Sequence, residues 1–405
     1  MDRQSNLIVS KIGIIGAGVS GLAVAKQLSN YNPVVFEASD SIGGVWKSCS
    51  YNSTKLQSPR GDYEFDDPSF PSYIEILDYL KSYAEHFDLM KYVMFSSKVV
   101  EVRFVGGREP ADFRGEPGEY GSLLPGLPVW EVAVQSKQSD IIQWYAFEFL
   151  VVCIGKYGDI PKIPEFPHKK GPEVFEGKVM HSIDYCKLDK EAATQLHKGK
   201  KVAVIGFKKS AIDLALECAE ANQGPEGKPC TMVVRTLHWT VPHYWVWGLP
   251  FFLFFSTRSS QFIHESLLRA MLCLLLSPMK RWPKSYLLHF CCRGTVHPLI
   301  PNMAFVGFIE SVANLHTSEL RSIWLARLLD NKFKLPTIDR MLEQVSKEIE
   351  VAKRTTRFYK RHCISTFSIN HSDEICEEMG WSSWRKNNVL AEAFSPYGSR
   401  DYELK

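Results

Sequence analysis

A glycine-rich loop near the start of the chain limits the possible folds more than any other feature of the sequence. The loop reads Gly16-Ala17-Gly18-Val19-Ser20-Gly21. An apolar, strand-like run (residues 12–15) precedes it, and a helix-like segment and a second apolar run (residues 34–36) follow it. A G-x-G-x-x-G loop between a strand and a helix is typical of dinucleotide-binding βαβ units. The sequence therefore predicts an α/β fold with a nucleotide at this loop.

Each glycine of this loop has a physical reason. Gly16 allows a tight turn, Gly18 has no side chain that would keep a diphosphate from the backbone, and Gly21 lets the helix lie close to the strand. The diphosphate would then sit on open N–H groups at the helix N-terminus. Glu37, directly after the second apolar run, is placed to accept hydrogen bonds from ribose hydroxyls. A turn without a ligand is the alternative, which the strand, helix and acid in register disfavour.

A second glycine turn follows Glu37 and favours a flavin as the ligand. It reads Gly43-Gly44-Val45-Trp46. Adjacent glycines would let the backbone pass close to a flavin, and Trp46 would shield it. The spacing E-x-x-x-x-x-G-G-x-W is typical of flavin-binding oxidoreductases with two dinucleotide sites. Gly44, Val45 and Trp46 are therefore predicted to bind FAD rather than NAD, with a simple turn as the alternative.

A second strand-loop-helix unit begins near residue 200. Its loop reads Gly206-Phe207-Lys208-Lys209-Ser210-Ala211, and the apolar run after the helix ends in Arg235, where the first unit has Glu37. An arginine suits a 2′-phosphate whereas a carboxylate suits a free ribose, so this unit is predicted to bind NADPH rather than NADH. Lys208 replaces the middle glycine; its ammonium can donate to phosphate, but its stem occupies the space of close approach. A nucleotide-free α/β unit is the alternative.

Composition excludes several other classes of protein. The chain has 405 residues, enough for two or three domains, and a formal net charge of only +3, which gives no case for nucleic-acid binding. Its ten cysteines form no C-x-x-C pair and no Cys/His ladder. This pattern argues against a zinc site and against dithiol redox chemistry, so a disulfide reductase is disfavoured. With no signal or transit peptide recognised, a cytoplasmic location is predicted.

Two apolar runs raise the question of membrane contact. Residues 244–255 and 267–276 are both strongly apolar, but neither reaches the roughly 18–20 residues that a membrane-spanning helix needs. Buried core is the preferred interpretation. The alternative is peripheral contact with a membrane surface, such as that of the endoplasmic reticulum, assisted by nearby arginine and lysine side chains.

The remaining pattern predicts further helices and strands. Apolar residues at helical spacing predict helices over residues 74–87, 314–329 and 338–349, the second capped by Thr317 or Ser318. Apolar and alternating runs predict strands over residues 98–105, 130–135, 145–153 and 303–309, and the Gly- and Pro-rich residues 106–128 predict a loop.

A third motif lies between the two nucleotide units and identifies a family. Residues Phe175, Gly177, His181 and Tyr185 match F-x-G-x-x-x-H-x-x-x-Y, the identifying motif of flavin-containing monooxygenases. With both nucleotide loops in the expected order, nearly the whole chain resembles this family. The resemblance is greatest to the plant branch that includes a pipecolate N-hydroxylating enzyme of plant defence.

This resemblance implies a reaction. In the family, NADPH reduces FAD, the reduced flavin captures dioxygen as a C4a-hydroperoxide, and a nucleophilic nitrogen or sulfur atom of a small amine or thioether is oxygenated. Asn52 resembles a family asparagine that supports the hydroperoxide and is the one predicted catalytic residue. His181 is given no catalytic role. No metal is implied.

The resemblance also implies a domain division and reveals a departure from it. Residues 1–170 would form the main part of the FAD domain, 171–290 an NADPH domain, and 291–405 a return to the FAD domain followed by helices. The family's second half of the NADPH domain has no counterpart between residues 276 and 293. The second Rossmann-like unit is therefore predicted to be incomplete, and a catalytically inactive flavin-binding remnant is the alternative to an active enzyme.

Overall fold

The computed structural model describes most of the chain. The described residues are 7–56, 70–107, 122–137, 141–158, 160–161, 163–225, 227–235, 245–246, 249–250, 257–258, 294–311, 314–355, 364–366 and 369–402.

The larger sheet is built around two neighbouring parallel strands. Its strands are β1 (Ile8–Ile15), β2 (Val34–Phe36), β3 (Val93–Met94), β4 (Ser97–Phe104), β5 (Trp130–Ser136), β6 (Ile142–Val152) and β11 (Met303–Phe305). The order is β3-β2-β1-β6-β5-β4, and β11 also pairs with β6. One edge of β6 pairs with β1 in parallel, while the other edge pairs with β5 and, further along, with β11. This mixed sheet with helices confirms the predicted α/β fold.

The two central strands are apolar because both faces of the sheet are covered. Ile12 and Ile14 of β1 and Leu150 and Val151 of β6 have no exposed surface. Near-continuous apolar runs of this kind are typical of parallel strands buried on both sides. The glycine loop after β1 is therefore held by the most deeply buried part of the fold.

The predicted strands agree with the structure except at one position. Residues 303–309 were expected to form a single strand, but β11 ends at Phe305 and a separate strand, β12 (Ile309–Ser311), follows. Gly307 lies between them with a φ of 94°, outside the range of a strand. A Cβ on Gly307 would lie 2.2 Å from Ser20 Oγ, so the chain leaves the sheet where it meets the first helix.

The helices of the described residues include those predicted in the two nucleotide units and over residues 74–87, 314–329 and 338–349, and several that were not predicted. They are α1 (Val19–Gln27), α2 (Val45–Ser48), α3 (Tyr73–His86), α4 (Ser182–Tyr185), α5 (Lys190–His197), α6 (Lys209–Ala221), α7 (Asn314–Leu329), α8 (Ile338–Thr355), α9 (Ile369–Glu378) and α10 (Val389–Phe394). Helix α3 begins with a capping box, in which Ser72 and Glu75 exchange hydrogen bonds with each other's backbone.

The predicted cap of α7 is wrong. The helix begins at Asn314, so Thr317 and Ser318 lie within its first turns, and both are buried. Instead of capping, the Ser318 hydroxyl lies 3.0 Å from the Ser20 hydroxyl of α1. A pattern read along one helix could not show this partner, because Ser20 is far away in sequence.

The C-terminal part of the chain returns to the first nucleotide unit. Strand β11 extends the sheet beside β6, and α7 packs against α1. At this contact the Glu319 carboxylate accepts hydrogen bonds from Lys26 (2.6 Å), Gln27 (2.6 Å) and Tyr83 (2.7 Å). Three segments far apart in sequence therefore meet at one half-buried carboxylate.

The second nucleotide unit is a smaller structure. Strands β7 (Ala203–Ile205) and β8 (Thr231–Val233) pair in parallel, and α6 connects them. In the described residues this sheet has two strands. Ile205 is 84% exposed and Val233 is 50% exposed, so this sheet has much less cover than the larger one.

Two further strand pairs complete the described elements. Strands β9 (Trp245–Val246) and β10 (Leu249–Pro250) form an antiparallel pair, and β12 pairs in parallel with β13 (Ile364–Thr366). In the part of the chain that can be described, no helix is both long and apolar enough to cross a bilayer. Most of the apolar run at residues 244–255, and all of the one at 267–276, lies outside the described residues, so membrane contact stays a prediction.

Candidate functional site

The first glycine loop turns sharply out of β1. Gly16 has a φ of 101°, which side-chain-bearing residues rarely adopt, and its N–H donates to the Phe36 carbonyl of β2 (2.8 Å). A Cβ at this position would lie 2.8 Å from the Cys153 carbonyl at the end of β6. The turn is therefore enclosed by strands on both sides, and only glycine fits.

The other two glycines of the loop serve different purposes. A Cβ on Gly21 would lie 1.8 Å from the Gly16 carbonyl oxygen, so Gly21 is needed for α1 to pack against the loop. A Cβ on Gly18 would lie 3.6 Å from the Gly44 Cα and 3.9 Å from the Gly44 nitrogen, which are ordinary van der Waals contacts. The folded protein itself could therefore accept a methyl group at Gly18, whereas a diphosphate bound at the start of α1 would be kept from the backbone by that group.

The N-terminus of α1 is available to an anion. Gly18 is the N-cap residue, no side chain caps the helix, and no acidic residue lies in its first turn. The first N–H groups of such a helix carry a partial positive charge and need an acceptor. Of the remaining loop residues, Ala17 and Ser20 are buried, while Val19 is half-buried and packs against the core.

Glu37 lies at the loop, as the sequence predicts. Its Oε2 accepts the N–H of Ala17 (2.7 Å), and its Oε1 accepts the N–H (2.9 Å) and the hydroxyl (2.7 Å) of Ser39. A carboxylate can accept about four hydrogen bonds. These donors therefore leave capacity for about one more, such as a ribose hydroxyl, on a side chain that is already held in place.

The second glycine turn lies directly over the first loop. The N–H of Gly43 donates to the Ala17 carbonyl (3.2 Å), and Gly44 has a φ of 55°. A Cβ on Gly44 would lie 3.2 Å from the Gly18 Cα. Bare backbone from two separate segments therefore meets at the start of α1. Val45 begins α2 and is 38% exposed, and Trp46 is half-buried against the core.

The second glycine loop repeats the geometry of the first. Gly206 has a φ of 136°, and its N–H donates to the Val233 carbonyl at the end of β8 (3.0 Å). Lys208 is the N-cap residue of α6, the position that Gly18 has on α1, and its side chain is exposed. Ala211 takes the place of the third glycine and is buried. The fold of this loop thus tolerates the departures from the glycine pattern.

The remaining second-loop residues differ in what they could offer a phosphate. The Lys209 ammonium is paired with Asp213, one turn further along α6, so its charge is already compensated. Phe207 is half-buried, whereas Ser210 is exposed near the helix start. Lys208 is therefore the better placed of the two lysines for an anion.

The correspondence between Glu37 and Arg235 needs correction by one residue. Because Gly16 bonds to Phe36 and Gly206 bonds to Val233, the residue equivalent to Glu37 is Val234. Arg235 comes one position later and is exposed. The sequence comparison placed the ends of the two runs together, but the hydrogen-bond register fixes the alignment. Arg235 lies two residues after the end of β8, and its role in binding the 2′-phosphate stays a prediction.

Asn52 lies in a tight turn between the two units. The Thr54 N–H donates to the Tyr51 carbonyl (3.0 Å), and the Asn52 side chain is exposed. The adjacent Ser53 donates from its N–H (2.8 Å) and its hydroxyl (2.9 Å) to Glu217 of α6. Sequence reasoning missed both Ser53 and Glu217. The available signal was that Ser210, Asp213 and Glu217 share one face of a helix.

The identifying motif has a structural role in the described contacts. The His181 ring caps α4 by accepting the Ile183 N–H on Nδ1 (3.2 Å). The Tyr185 hydroxyl donates to Glu217 (2.6 Å). Phe175 is 63% exposed. Thus the tyrosine contacts the helix of the second unit, and the side-chain hydrogen bond of the histidine is the local cap of α4.

Comparison with known proteins finds a family model and relatives that match most of this chain. The family model of flavin-binding monooxygenase-like proteins matches residues 9–285. A probable flavin-containing monooxygenase 1 of Arabidopsis thaliana is 52% identical over 99% of this chain and 98% of its own length. A putative flavin-containing monooxygenase 2 of the same plant is 48% identical over 91% of this chain and 97% of its own length.

A solved structure supports the fold. The S-allyl-L-cysteine S-oxygenase from Allium sativum superposes with a TM-score of 0.61 over 93% of this chain and 90% of its own, at 22% identity. At this identity the similarity concerns the fold alone. The family match and the Arabidopsis relatives establish family membership as well, because they cover most of the chain. The chain therefore belongs to the flavin-containing monooxygenase family, whose members are flavoprotein oxidoreductases that use FAD and NADPH.

Proposed function

We propose that the protein is an NADPH- and FAD-dependent monooxygenase that oxygenates a nucleophilic nitrogen or sulfur atom of a small molecule. The observation that carries the proposal is the meeting of Gly18 and Gly44 at the uncapped start of α1. Neither residue has a side chain that would cover the start of the helix, and no other side chain caps it. Bare backbone beside a helix N-terminus suits the diphosphate of a dinucleotide.

The proposed FAD site uses backbone more than side chains. The N–H groups at the start of α1, residues Val19 to Gly21, would hold the diphosphate, and Glu37 would accept a ribose hydroxyl. Gly44 and Val45 would let the second turn pass close to the cofactor, with Trp46 limiting access of water. Bound FAD supplies the activation of dioxygen, with electrons from NADPH. The protein's part is to orient both and to exclude water.

The proposed NADPH site is the second loop. The N–H groups of Lys209 and Ser210 at the start of α6 would face the diphosphate, since no side chain caps this helix. The Ala211 N–H already donates to the Lys208 carbonyl (2.9 Å), so Ala211 would contribute its small side chain rather than a donor. Lys208 would add a charge at the point of closest approach. Arg235 would bind the 2′-phosphate, because a guanidinium matches phosphate geometry with paired hydrogen bonds.

Asn52 would act beside the flavin. Its amide is exposed and lies in a turn whose backbone is fixed by Tyr51 and Thr54. An amide N–H₂ group in that position can donate to an oxygen at the reacting centre, which is the role the family resemblance implies. The same turn is connected to the NADPH unit by the hydrogen bonds from Ser53 to Glu217 of α6.

We further propose that the NADPH domain, residues 171–290, is shorter than in its relatives, while residues 1–170 and 291–405 form the FAD domain. The alignment with the first Arabidopsis relative extends over 518 positions, whereas this chain has 405 residues. Some alignment positions must therefore have no counterpart here. The high exposure of Ile205 and Val233 on β7 and β8 supports a lost covering segment. This is also the observation that favours the alternative, a flavin-binding relative without turnover.

One experiment separates the two functions. The purified protein is examined for a flavin absorbance spectrum, and its oxygen-dependent NADPH oxidation is followed with and without pipecolate or a simple thioether. An active monooxygenase shows bound FAD, consumes NADPH and yields an oxygenated product. A yellow protein that leaves NADPH unchanged would favour the inactive alternative. A protein that cannot be loaded with FAD would refute both.

A further inference from the structure

The turn that carries Asn52 is attached to one face of α6. Ser210, Asp213 and Glu217 are three and four residues apart in succession, so their side chains lie on the same side of the helix. The Glu217 Oε1 accepts both the N–H and the hydroxyl of Ser53. The Ser53 hydroxyl also lies 3.5 Å from the Asp213 carbonyl. The residue directly after Asn52 is therefore held by the helix that follows the second nucleotide loop.

A buried tyrosine orients the same carboxylate. The Tyr185 hydroxyl donates to the Glu217 Oε2 (2.6 Å), and its side chain is only 6% exposed. Burial and the neighbouring Glu217 carboxylate raise the pKa of Tyr185, so its hydroxyl stays a donor. Glu217 thus accepts three hydrogen bonds, two on one oxygen and one on the other. Hydrogen bonds to an ionised acceptor are stronger than neutral ones.

The residue before Asn52 is attached to the same helix. Tyr51 is buried, and its ring lies against that of Tyr185, with centroids 5.8 Å apart. Burial raises the pKa of Tyr51 to about 12, while hydrogen bonds with the side chains of Ser210 and Ser182 act in the opposite direction. Ser210 belongs to the second nucleotide loop. Both neighbours of Asn52 therefore contact α6, one near its start and one two turns later.

We propose that Glu217 is a positioning residue, which fixes the Asn52 turn to the helix that begins at the second nucleotide loop. Through this helix, a nucleotide bound at residues 206–211 would restrain a turn on the flavin side. The link depends on the proposed function only for the identity of that nucleotide. The attachment of the turn to Glu217 is a property of the protein without ligands.

The attachment can be measured without any cofactor. Amide hydrogen exchange of a peptide containing Ser53 is compared between the wild-type protein and Glu217→Ala. We expect exchange to accelerate by about tenfold, because the Ser53 N–H loses a charged acceptor. Glu220→Ala is the matched control, since Glu220 is exposed on the same helix and should leave exchange at Ser53 unchanged. No acceleration in Glu217→Ala, or equal acceleration in Glu220→Ala, would overturn the assignment.

If Glu217→Ala does not fold, two conservative variants can still test the proposal. Glu217→Gln keeps an acceptor oxygen for Ser53 and should restore most of the protection, leaving an acceleration of at most about threefold. Tyr185→Phe removes one donor to Glu217 and should also accelerate exchange at Ser53 by about threefold. A role in bulk packing alone predicts that both variants leave exchange at Ser53 as in the wild type, and that result would refute the proposal.

The link to the second loop is tested with NADP+ as the probe. In the wild-type protein, NADP+ should slow exchange both at residues 206–211 and at the Asn52 turn. In Glu217→Ala it should still slow exchange at the loop but no longer at the turn. Protection of the turn that persists in Glu217→Ala would contradict the link. If NADP+ protects neither segment of the wild type, the proposed NADPH site fails, while the comparison without ligand still decides the role of Glu217.

Discussion

The two nucleotide units have the same loop and very different surroundings. In both, the first glycine has a positive φ (101° for Gly16 and 136° for Gly206) and donates to the last residue of the second strand. In the first unit, a Cβ on that glycine would meet the Cys153 carbonyl at 2.8 Å, whereas in the second its nearest contact would be the Ala211 Cβ at 3.4 Å. A strand-turn-helix sequence thus forms the same loop in both units, and in the first unit the neighbouring strand end also encloses it.

Burial shows the same contrast. Ile14, near the end of β1, has no exposed surface, but Ile205, at the end of β7, is 84% exposed. Strand β1 lies between β2 and β6, while β7 pairs with β8 among the described residues. The first unit therefore depends on partners from distant parts of the chain, and the second has fewer of them.

The largest effect is expected from a methyl group at the third glycine. Gly21→Ala would place a Cβ 1.8 Å from the Gly16 carbonyl, so the helix or the loop must move. We expect a loss of unfolding free energy on the order of 4 kcal/mol. Chemical denaturation measures it. The matched change in the second unit, Ala211→Gly, should cost only about 1 kcal/mol through helix propensity. Similar losses for the two variants would show that the loops are equally enclosed.

Next in size is the difference between equivalent strand residues. Ile14→Ala removes a buried side chain and should lower the free energy of unfolding by about 3 kcal/mol. Ile205→Ala changes an exposed side chain and should lower it by less than about 0.5 kcal/mol. The pair is compared by urea denaturation monitored through tryptophan fluorescence. A large loss in Ile205→Ala would mean that β7 is covered after all.

The support that α7 gives to the first unit should depend on pH. Burial lowers the pKa of His316 from 6.5 to about 4. Between these values the unfolded chain binds a proton that the folded protein does not, so stability is lost as the pH falls through this window. From about pH 7 to about pH 4.5, His316 should account for a loss of about 2 kcal/mol.

A variant without a titrating group at this position isolates the effect. His316→Gln should flatten the pH dependence of unfolding free energy by that amount, measured as the difference between the two pH values. His168→Gln changes an exposed histidine and serves as the control. Parallel pH profiles for the wild type and His316→Gln would contradict a His316 ring that stays neutral in the folded protein.

A smaller effect is expected at the exposed end of the second unit. Arg235→Ala should weaken NADPH binding by about tenfold, or about 1.4 kcal/mol, and leave NADH binding nearly unchanged, because only NADPH carries the 2′-phosphate. Titration of the purified protein with each nucleotide gives both constants. Equal weakening for the two nucleotides would remove Arg235 from the phosphate role.

The comparison of the two units also shows which structural features can be predicted from the sequence. The glycine loops, five of the helices and the main strands of both nucleotide units were predicted correctly, because strand and helix periodicity and turn residues act over short distances. Helices α2, α4, α5, α9 and α10 were not predicted. The cap assigned to Thr317 or Ser318 was wrong because Ser318 meets Ser20, which is 298 residues away. Glu217 was missed because its partner Ser53 is 164 residues away. Such contacts depend on tertiary packing, which no local pattern contains.

The alignment of the two loops illustrates a second limit. Placing Arg235 opposite Glu37 relied on where each apolar run ends, but the backbone hydrogen bonds of Gly16 and Gly206 set the register one residue differently. Local composition identifies the end of a strand to within a residue or two. A shift of one position decides whether Arg235 or Val234 is equivalent to Glu37. Only the backbone hydrogen bonds identify the equivalent residue.

The most direct test of the account is the FAD content of Gly18→Ala. A Cβ at Gly18 makes only an ordinary 3.6 Å contact within the protein, so the variant should fold with nearly wild-type stability. Gly107→Ala, where a Cβ would have no neighbour within 4 Å, is the matched control. We expect Gly18→Ala to be purified folded and without flavin, while Gly107→Ala retains its flavin. A folded Gly18→Ala protein with full flavin content would contradict the assignment of this loop as the diphosphate site.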